Sequence, residues 1–303
     1  MGSFKIRTDL ALEARESVEE GAEELRGVSM EEFHNEKEEI KVTRVVIESK
    51  NSAKLLGKPV GSYVTIEAPA MAQPDPEYHT EIAKELANQL KQMIPGIEKE
   101  ISVMVVGLGN RDVTADALGP NVVDNLIITR HMLREYGKAA YQDREKMHMI
   151  SGLIPGVMAK TGMESAEIIK GVVEKTKPDV VLVIDALAAR STKRLNRTIQ
   201  ITNTGIHPGS GVGNHRNSIT EESLGVPVIA VGVPTVVDAA TIVGDALEKI
   251  LVSLDEKFPE LKEELQGNLG EFYNMYVTGK DVDYEMKQIS HIICDAVHCA
   301  LEV

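Results

Sequence analysis

The chain reads as an α/β protein with a three-layer, mainly parallel sheet flanked by helices, preceded by an antiparallel hairpin element. Three apolar runs predict the sheet: SVMVVG from Ser102, DVVLVIDAL over Asp179–Leu187 and VPVIAVGV over Val226–Val233. Each is short, rich in valine and isoleucine, and followed by polar or glycine-rich sequence, with helical periodicity between or after the runs. Buried parallel strands show that pattern because helices cover both faces of the sheet. Aromatic residues make up only 4% of the 303 residues and tryptophan is absent, so the core must be built from aliphatic side chains and Met.

In chain order, residues 1–40 are glutamate-rich, with helix-like stretches at Ala11–Glu20 and Ser29–Glu39, and read as a solvated leader with surface helices. KVTRVVIE over Lys41–Glu48 alternates as a strand should, and YVTIEA over Tyr63–Ala68 reads as its hairpin partner. Three prolines make APAMAQPDPE a loop, and Glu77–Ile94 has helical periodicity. TIQITNTGI over Thr198–Ile206 is a candidate antiparallel edge strand, and Lys280–Leu301 a closing helix. No linker interrupts the chain after residue 100, so the expected organisation is one α/β domain over 10–303. Its hairpin and helix region would span about 40–95 and its core sheet about 100–303.

Bulk composition narrows the function. A net charge of −14 repels phosphate backbones and no basic stripe offsets it, which argues against direct nucleic-acid binding. Cys294 and Cys299 are the two cysteines, too few for a disulfide framework or a four-thiolate zinc site, as expected in a reducing, cytoplasmic compartment. No apolar run is long enough for a membrane span, and the first residues lack a signal-peptide core.

Chemistry should gather at the carboxyl ends of the parallel strands. Asp116, in ADALGP where a helix should begin, and Asp185, after VVLVI, stand at two such ends. Each has a structural alternative, a helix cap for Asp116 and a loop anchor for Asp185. If the two carboxyls meet, like-charge repulsion makes them share a proton. One can then take a proton from water while the other protonates the carbonyl oxygen or the leaving amine. Asn110, Asp124, His207 and Ser210 are candidates for lining or supporting the cleft. The glycine-rich HPGSGVGN over residues 207–214 would lie beside it.

GLGN over residues 107–110 lacks the third glycine of a dinucleotide fingerprint, and no Walker loop, GxSxG elbow or HExxH is present. His131, His207 and His215 could join the carboxylates in a metal site, but no close histidine pair marks one. His291, Cys294 and His298 share a helical face that docking on the sheet explains. No cofactor or metal is expected.

The runs VVGLGN, TADALGPNVVDNLIITRH, IPGVMAKTGMES, PDVVLVIDALAARS, IQITNTGIHPGSGVGN and GVPVIAVGVPTVVDA, together with the N-terminal RTDLALEA, resemble the spore germination protease family of atypical aspartic endopeptidases. The resemblance implies a homotetrameric enzyme of the forespore or spore core that degrades small acid-soluble spore proteins during germination. It places the catalytic pair on Asp116 and Asp185. It also implies a zymogen whose propeptide, residues 1–9, is removed by self-cleavage between Asp9 and Leu10, where TDLA resembles the family's cleavage site with Asp in place of Glu. A more distant similarity to hydrogenase maturation endopeptidases implies a phosphorylase/hydrolase-like fold and supplies a metal-dependent alternative. A nucleotide or small-molecule binding module is the non-enzymatic alternative.

Overall fold

The computed structural model describes residues 8–19, 27–35, 39–137, 139, 146–207, 217–253, 272 and 275–303. The chain begins with α1 (Ala11–Glu19), β1 (Val28–Asn35), β2 (Ile40–Ile47), α2 (Lys50–Leu56), β3 (Gly61–Glu67) and α3 (Pro76–Met93). Then come β4 (Ser102–Gly107), a 3-10 turn at Thr114–Asp116, α4 (Leu118–Asn125), α5 (Arg130–Tyr136), β5 (Met149–Leu153), α6 (Met158–Thr161) and α7 (Ser165–Thr176). The last third holds β6 (Val180–Ala189), a 3-10 turn at Thr192–Arg194, β7 (Thr198–Thr202), α8 (Glu221–Leu224), β8 (Val228–Asp238), α9 (Ala239–Ser253), β9 (Tyr276–Val277) and α10 (Val282–Leu301).

All nine strands of the described residues join one sheet in the order β1-β2-β3-β7-β8-β6-β4-β5, with β9 added to the end of β8. The pairs β4 with β5, β4 with β6 and β6 with β8 are parallel, and every other pair is antiparallel. The sheet is therefore mixed rather than mainly parallel. The reason is β7, expected at an edge but lying in the middle. It pairs antiparallel with β3 on one side and β8 on the other, so the N-terminal strands continue the core sheet instead of forming an appendage.

Alternating side chains divide the interior. Val180, Leu182 and Ile184 of β6 pack with α3, α4 and α10 on one face, and Val181 and Val183 pack with Ile169 and Val173 of α7 and Leu224 of α8 on the other. The period-two pattern of a strand buried on both faces produces this split. Helix α10 presents Met286, Ile289, Ile293, Ala296, Val297 and Ala300 to the larger cluster, at helical spacing. No helix among the described residues is long and apolar enough to cross a membrane.

Several expectations change. Where the helix expected over Ser29–Glu39 is described, it is strand: Val28–Asn35 pairs in register with Ile40–Ile47, so sheet pairing overrides the helix preference of its glutamates. The β2 to β3 connection carries a helix, α2, capped at its start by the Ser49 hydroxyl, which accepts from the Ser52 amide. Gly57 stops it at φ 63°. Strand β5 was not foreseen, because MISGL is short and broken by Ser and Gly. Strands β6 and β8 run on to Ala189 and Asp238, beyond the Leu187 and Val233 at which their apolar runs end. Finally, the leader is not simply solvated, since Leu10, Ala11, Leu12 and Glu13 are all buried.

Candidate active site

Strand β4 stops one residue short of Asp185. Its last rung pairs Gly107 with Ile184, and the Leu108 amide then donates to the Ile184 carbonyl at 2.9 Å. Beyond that point β6 has lost a neighbour on one side, which opens the crevice expected at the carboxyl end of a parallel strand. Asp185 is the first residue past the opening and is only 7% exposed. It is thus within β6, not at its end, opposite Gly232 of β8. A side chain at Gly232 would overlap Leu187, so the glycine leaves that space to the leucine two residues beyond Asp185.

Asp116 is held at the tip of the β4 to α4 connection. The Asn110 amide donates to its Oδ2 at 2.9 Å and to its backbone oxygen at 3.0 Å. Gly109 permits this wrap at φ +114°, where a Cβ would collide with the Asp116 carbonyl. The expected cap role is not what Asp116 does: α4 starts at Leu118, its cap position is Ala117, and no side chain caps it. A bulge between Leu187 and Ala188 skips Thr235 in the β6 to β8 register. The freed Thr235 hydroxyl donates to the Ala115 carbonyl at 2.6 Å, fixing the residue before Asp116.

The two aspartates belong to the same end of the sheet. Gly119, three residues after Asp116, lies against the backbone of Leu108 and Ile184, and any Cβ there would overlap both carbonyl oxygens. Ile184 directly precedes Asp185, so the first turn of α4 is seated on the strand that carries the second carboxyl. The glycines of GLGN serve this seating: a Cβ on Gly107 would strike the Gly119 carbonyl. Asn110 supports Asp116 through its backbone, while its side-chain oxygen accepts from the Asp112 amide at 3.1 Å. Asp124 is elsewhere, on the surface of α4 in an ion pair with Arg111, whose Nη2 donates to Asp124 Oδ1 at 2.7 Å. Ser210 and His215 lie outside the described residues, and His131 is exposed on α5.

A pocket of about 60 Å³ joins Asp185 to Asp9, Lys58, Gln200 and His207. Its volume can hold a water molecule. Asp116 is not part of the lining and stands at the adjoining tip. Burial, and secondarily the Lys58 charge, hold His207 below the usual imidazole range. Burial also lowers Lys58, against the opposing pull of the Asp9 and Glu13 carboxylates.

The Asp9 segment is held against β6 at one residue, Ala188. The Asp9 amide donates to the Ala188 carbonyl and its Oδ2 accepts from the Ala188 amide, both at 2.9 Å. The Asp9 carbonyl accepts from Lys58 Nζ at 2.8 Å and Gln200 Nε2 at 3.1 Å. Gln200 Oε1 in turn accepts from the Ala11 amide at 2.7 Å. Leu10, 0% exposed, fills an apolar hole formed by Leu187, Ala189 and Val237. Glu13, 2% exposed, accepts from the amides of Arg190 at 2.8 Å and Ser191 at 3.0 Å. Lys58, Gln200 and Glu13 escaped the sequence reading. Only Gln200 carries a signal there, as a polar side chain amid the apolar residues of a strand.

His291, Cys294 and His298 do not form a common site. His291 is exposed, while Cys294 is buried and its thiol donates to the Asn125 carbonyl at 3.2 Å. His298 Nε2 accepts from the Ile127 amide at 3.0 Å. This face docks α10 on the end of α4.

A mixed α/β sheet with a buried carboxylate, Asp185, at the crevice where one parallel strand outruns its neighbour, and with a segment of its own chain bound beside it, has the makings of a hydrolase that holds peptide. The family model described as germination protease, peptidase A25, matches residues 6–267, and the chain belongs to that family of endopeptidases. Its relatives agree. The germination protease of Caldanaerobacter subterraneus subsp. tengcongensis is 48% identical, over 98% of this chain and 94% of its own length. That of Clostridium tetani is 44% identical over 99% and 96%. That of Bacillus mycoides is 44% identical, with 86% of this chain matching 71% of the relative. A [NiFe] hydrogenase maturation protease, HycI from Thermococcus kodakarensis, aligns with 48% of this chain and 80% of its own at 18% identity. The TM-score of that alignment is 0.29. Family membership sets aside the binding-module alternative.

Proposed function

We propose that this chain is the zymogen of a spore-core endopeptidase that cuts itself between Asp9 and Leu10 and then degrades small acid-soluble spore proteins during germination. Asp116 and Asp185 are its water-activating pair. The observation that carries this reading is that Asp9, whose carbonyl would be attacked, lines the same small pocket as Asp185, and that this pocket is roomy enough for a water molecule. One carboxylate accepts a proton from that water as it attacks, and its protonated partner supplies one to the departing amine.

The bound leader also suggests how substrate is read. A segment bonded to Ala188 sets an apolar side chain into the Leu10 hole and a small residue at the Ala11 position. An unfolded substrate meets these demands readily, since no structure has to open before its backbone lies along β6. Until it is cut, the leader occupies the position substrate needs. The enzyme acts as a homotetramer in the cytoplasm of the forespore or spore core, with no metal, no cofactor and no direct contact with nucleic acid.

Incubating the intact chain with a small acid-soluble spore protein, with and without a chelator, and weighing all fragments by mass spectrometry tests this. Cuts after Asp9 and after substrate glutamates, unaffected by the chelator, are expected. An intact leader and substrate would overturn the proposal, and chelator-sensitive cutting would favour the metal-dependent mechanism.

A further inference from the structure

We infer that Lys58 and Gln200 are the catalytic donors that stabilise the oxyanion when the Asp9 to Leu10 bond is hydrolysed, and that they hold the equivalent carbonyl of a substrate. This rests on the proposed scissile bond. The two donors reach one oxygen from separate elements: Lys58 from the turn after α2, at 2.8 Å, and Gln200 from β7, at 3.1 Å. The Gln200 carboxamide has its orientation fixed by its partners, because the Ala11 amide requires an acceptor and the Asp9 carbonyl a donor. Both side chains line the pocket that contains Asp185.

The chemistry requires such donors. Water adds to the Asp9 carbonyl carbon and gives one proton to the aspartate pair, while the C=O π electrons move onto the oxygen. Lys58 and Gln200 N–H groups then face a full negative charge, where donors placed before the reaction are worth far more than in solvent. As the intermediate collapses, the C–N bond breaks and the Leu10 nitrogen takes a proton, leaving a carboxyl on Asp9 and an amine on Leu10. The Leu10 amide already donates to Thr8 Oγ1 at 3.0 Å, which holds the bond in one orientation.

The alternative is that Lys58 only tethers the leader, since its Nζ also donates to the Thr8 carbonyl at 3.2 Å. Lys58→Met and Gln200→Glu separate the two roles in the full chain; the glutamate keeps the acceptor for Ala11 and removes the donor to Asp9. Self-cleavage is followed by mass spectrometry, and docking by hydrogen exchange at the Asp9 and Ala188 amides. Each variant is expected to cut at least about 100-fold more slowly than the parent, with exchange protection retained. Parental cutting rates in Gln200→Glu or in a folded Lys58→Met would overturn the inference. So would slow cutting accompanied by loss of protection, which would make these residues tethers. If the parent chain itself is not cut after Asp9, the scissile-bond reading falls first and this inference with it.

Discussion

Two segments of the same glutamate-rich leader end in opposite environments. Residues 9–13 run beneath the surface, with Leu10 at 0% exposure and Glu13 at 2%, whereas β1, fifteen residues later, forms the sheet's outer strand with Phe33 59% exposed. Composition does not separate them, since both mix acidic residues with three apolar ones. What differs is the receiving surface. Asp9–Glu13 meets the end of β6 beyond β4 and the two residues that follow it, where Ala188, Arg190 and Ser191 offer backbone groups that no neighbouring strand takes. Among the described strands β1 pairs with β2 alone, and its far edge pairs with none.

That contrast can be broken by mutation. In the uncut chain, Leu10→Ala should cost about 3 kcal/mol in urea unfolding, because the hole among Leu187, Ala189 and Val237 cannot collapse onto a methyl group. Phe33→Ala should stay within about 0.5 kcal/mol. A cost for Leu10→Ala no larger than that of Phe33→Ala would mean the leader is not docked in solution.

Glu13→Ala comes next, at about 2 kcal/mol, since it strands the Arg190 and Ser191 amides inside the protein. The exposed pair of Glu32 with Lys41 in the β1 region should be worth well under about 1 kcal/mol when Glu32 is replaced by Ala. Denaturation of the two single variants side by side measures the difference.

A third test uses pH. Burial raises the Tyr63 phenol, beside the leader's pocket, from 10.0 to about 12, while its hydroxyl donates to the Pro59 carbonyl at 2.8 Å. Because the folded value lies above the unfolded one, this contribution is complete below pH 10 and is lost as pH rises through the folded value. Stability should therefore fall by something on the order of 2 kcal/mol between about pH 10 and 12. Tyr63→Phe should be less stable below pH 10 and should decline less steeply above it. Equal slopes would show that the phenol titrates alike in both states.

Much of this was legible from residues alone. Three of the four parallel strands, β4, β6 and β8, and the helices α3 and α10 follow from periodicity, because each buries an apolar pattern against a matching surface. Asp185 stands out as a carboxylate after a long apolar run, and Asp116 as one where a helix should begin after a strand. The central place of β7 was not legible, since strand order depends on pairing between β3 and β7, segments far apart in sequence. Nor was the docking of Asp9–Glu13, which depends on backbone groups of β6 that any sequence would supply. Lys58 was hidden for a similar reason: a lysine in KLLGKPVG looks solvated until the turn after α2 is seen to aim it at Asp9.

The most direct test of the paired aspartates is the mass of the full chain over time in Asp116→Asn and Asp185→Asn variants that retain the parent's circular dichroism. Both should remain uncut at Asp9 while the parent loses residues 1–9. Removal of that segment by either variant at the parent's rate would contradict the pairing.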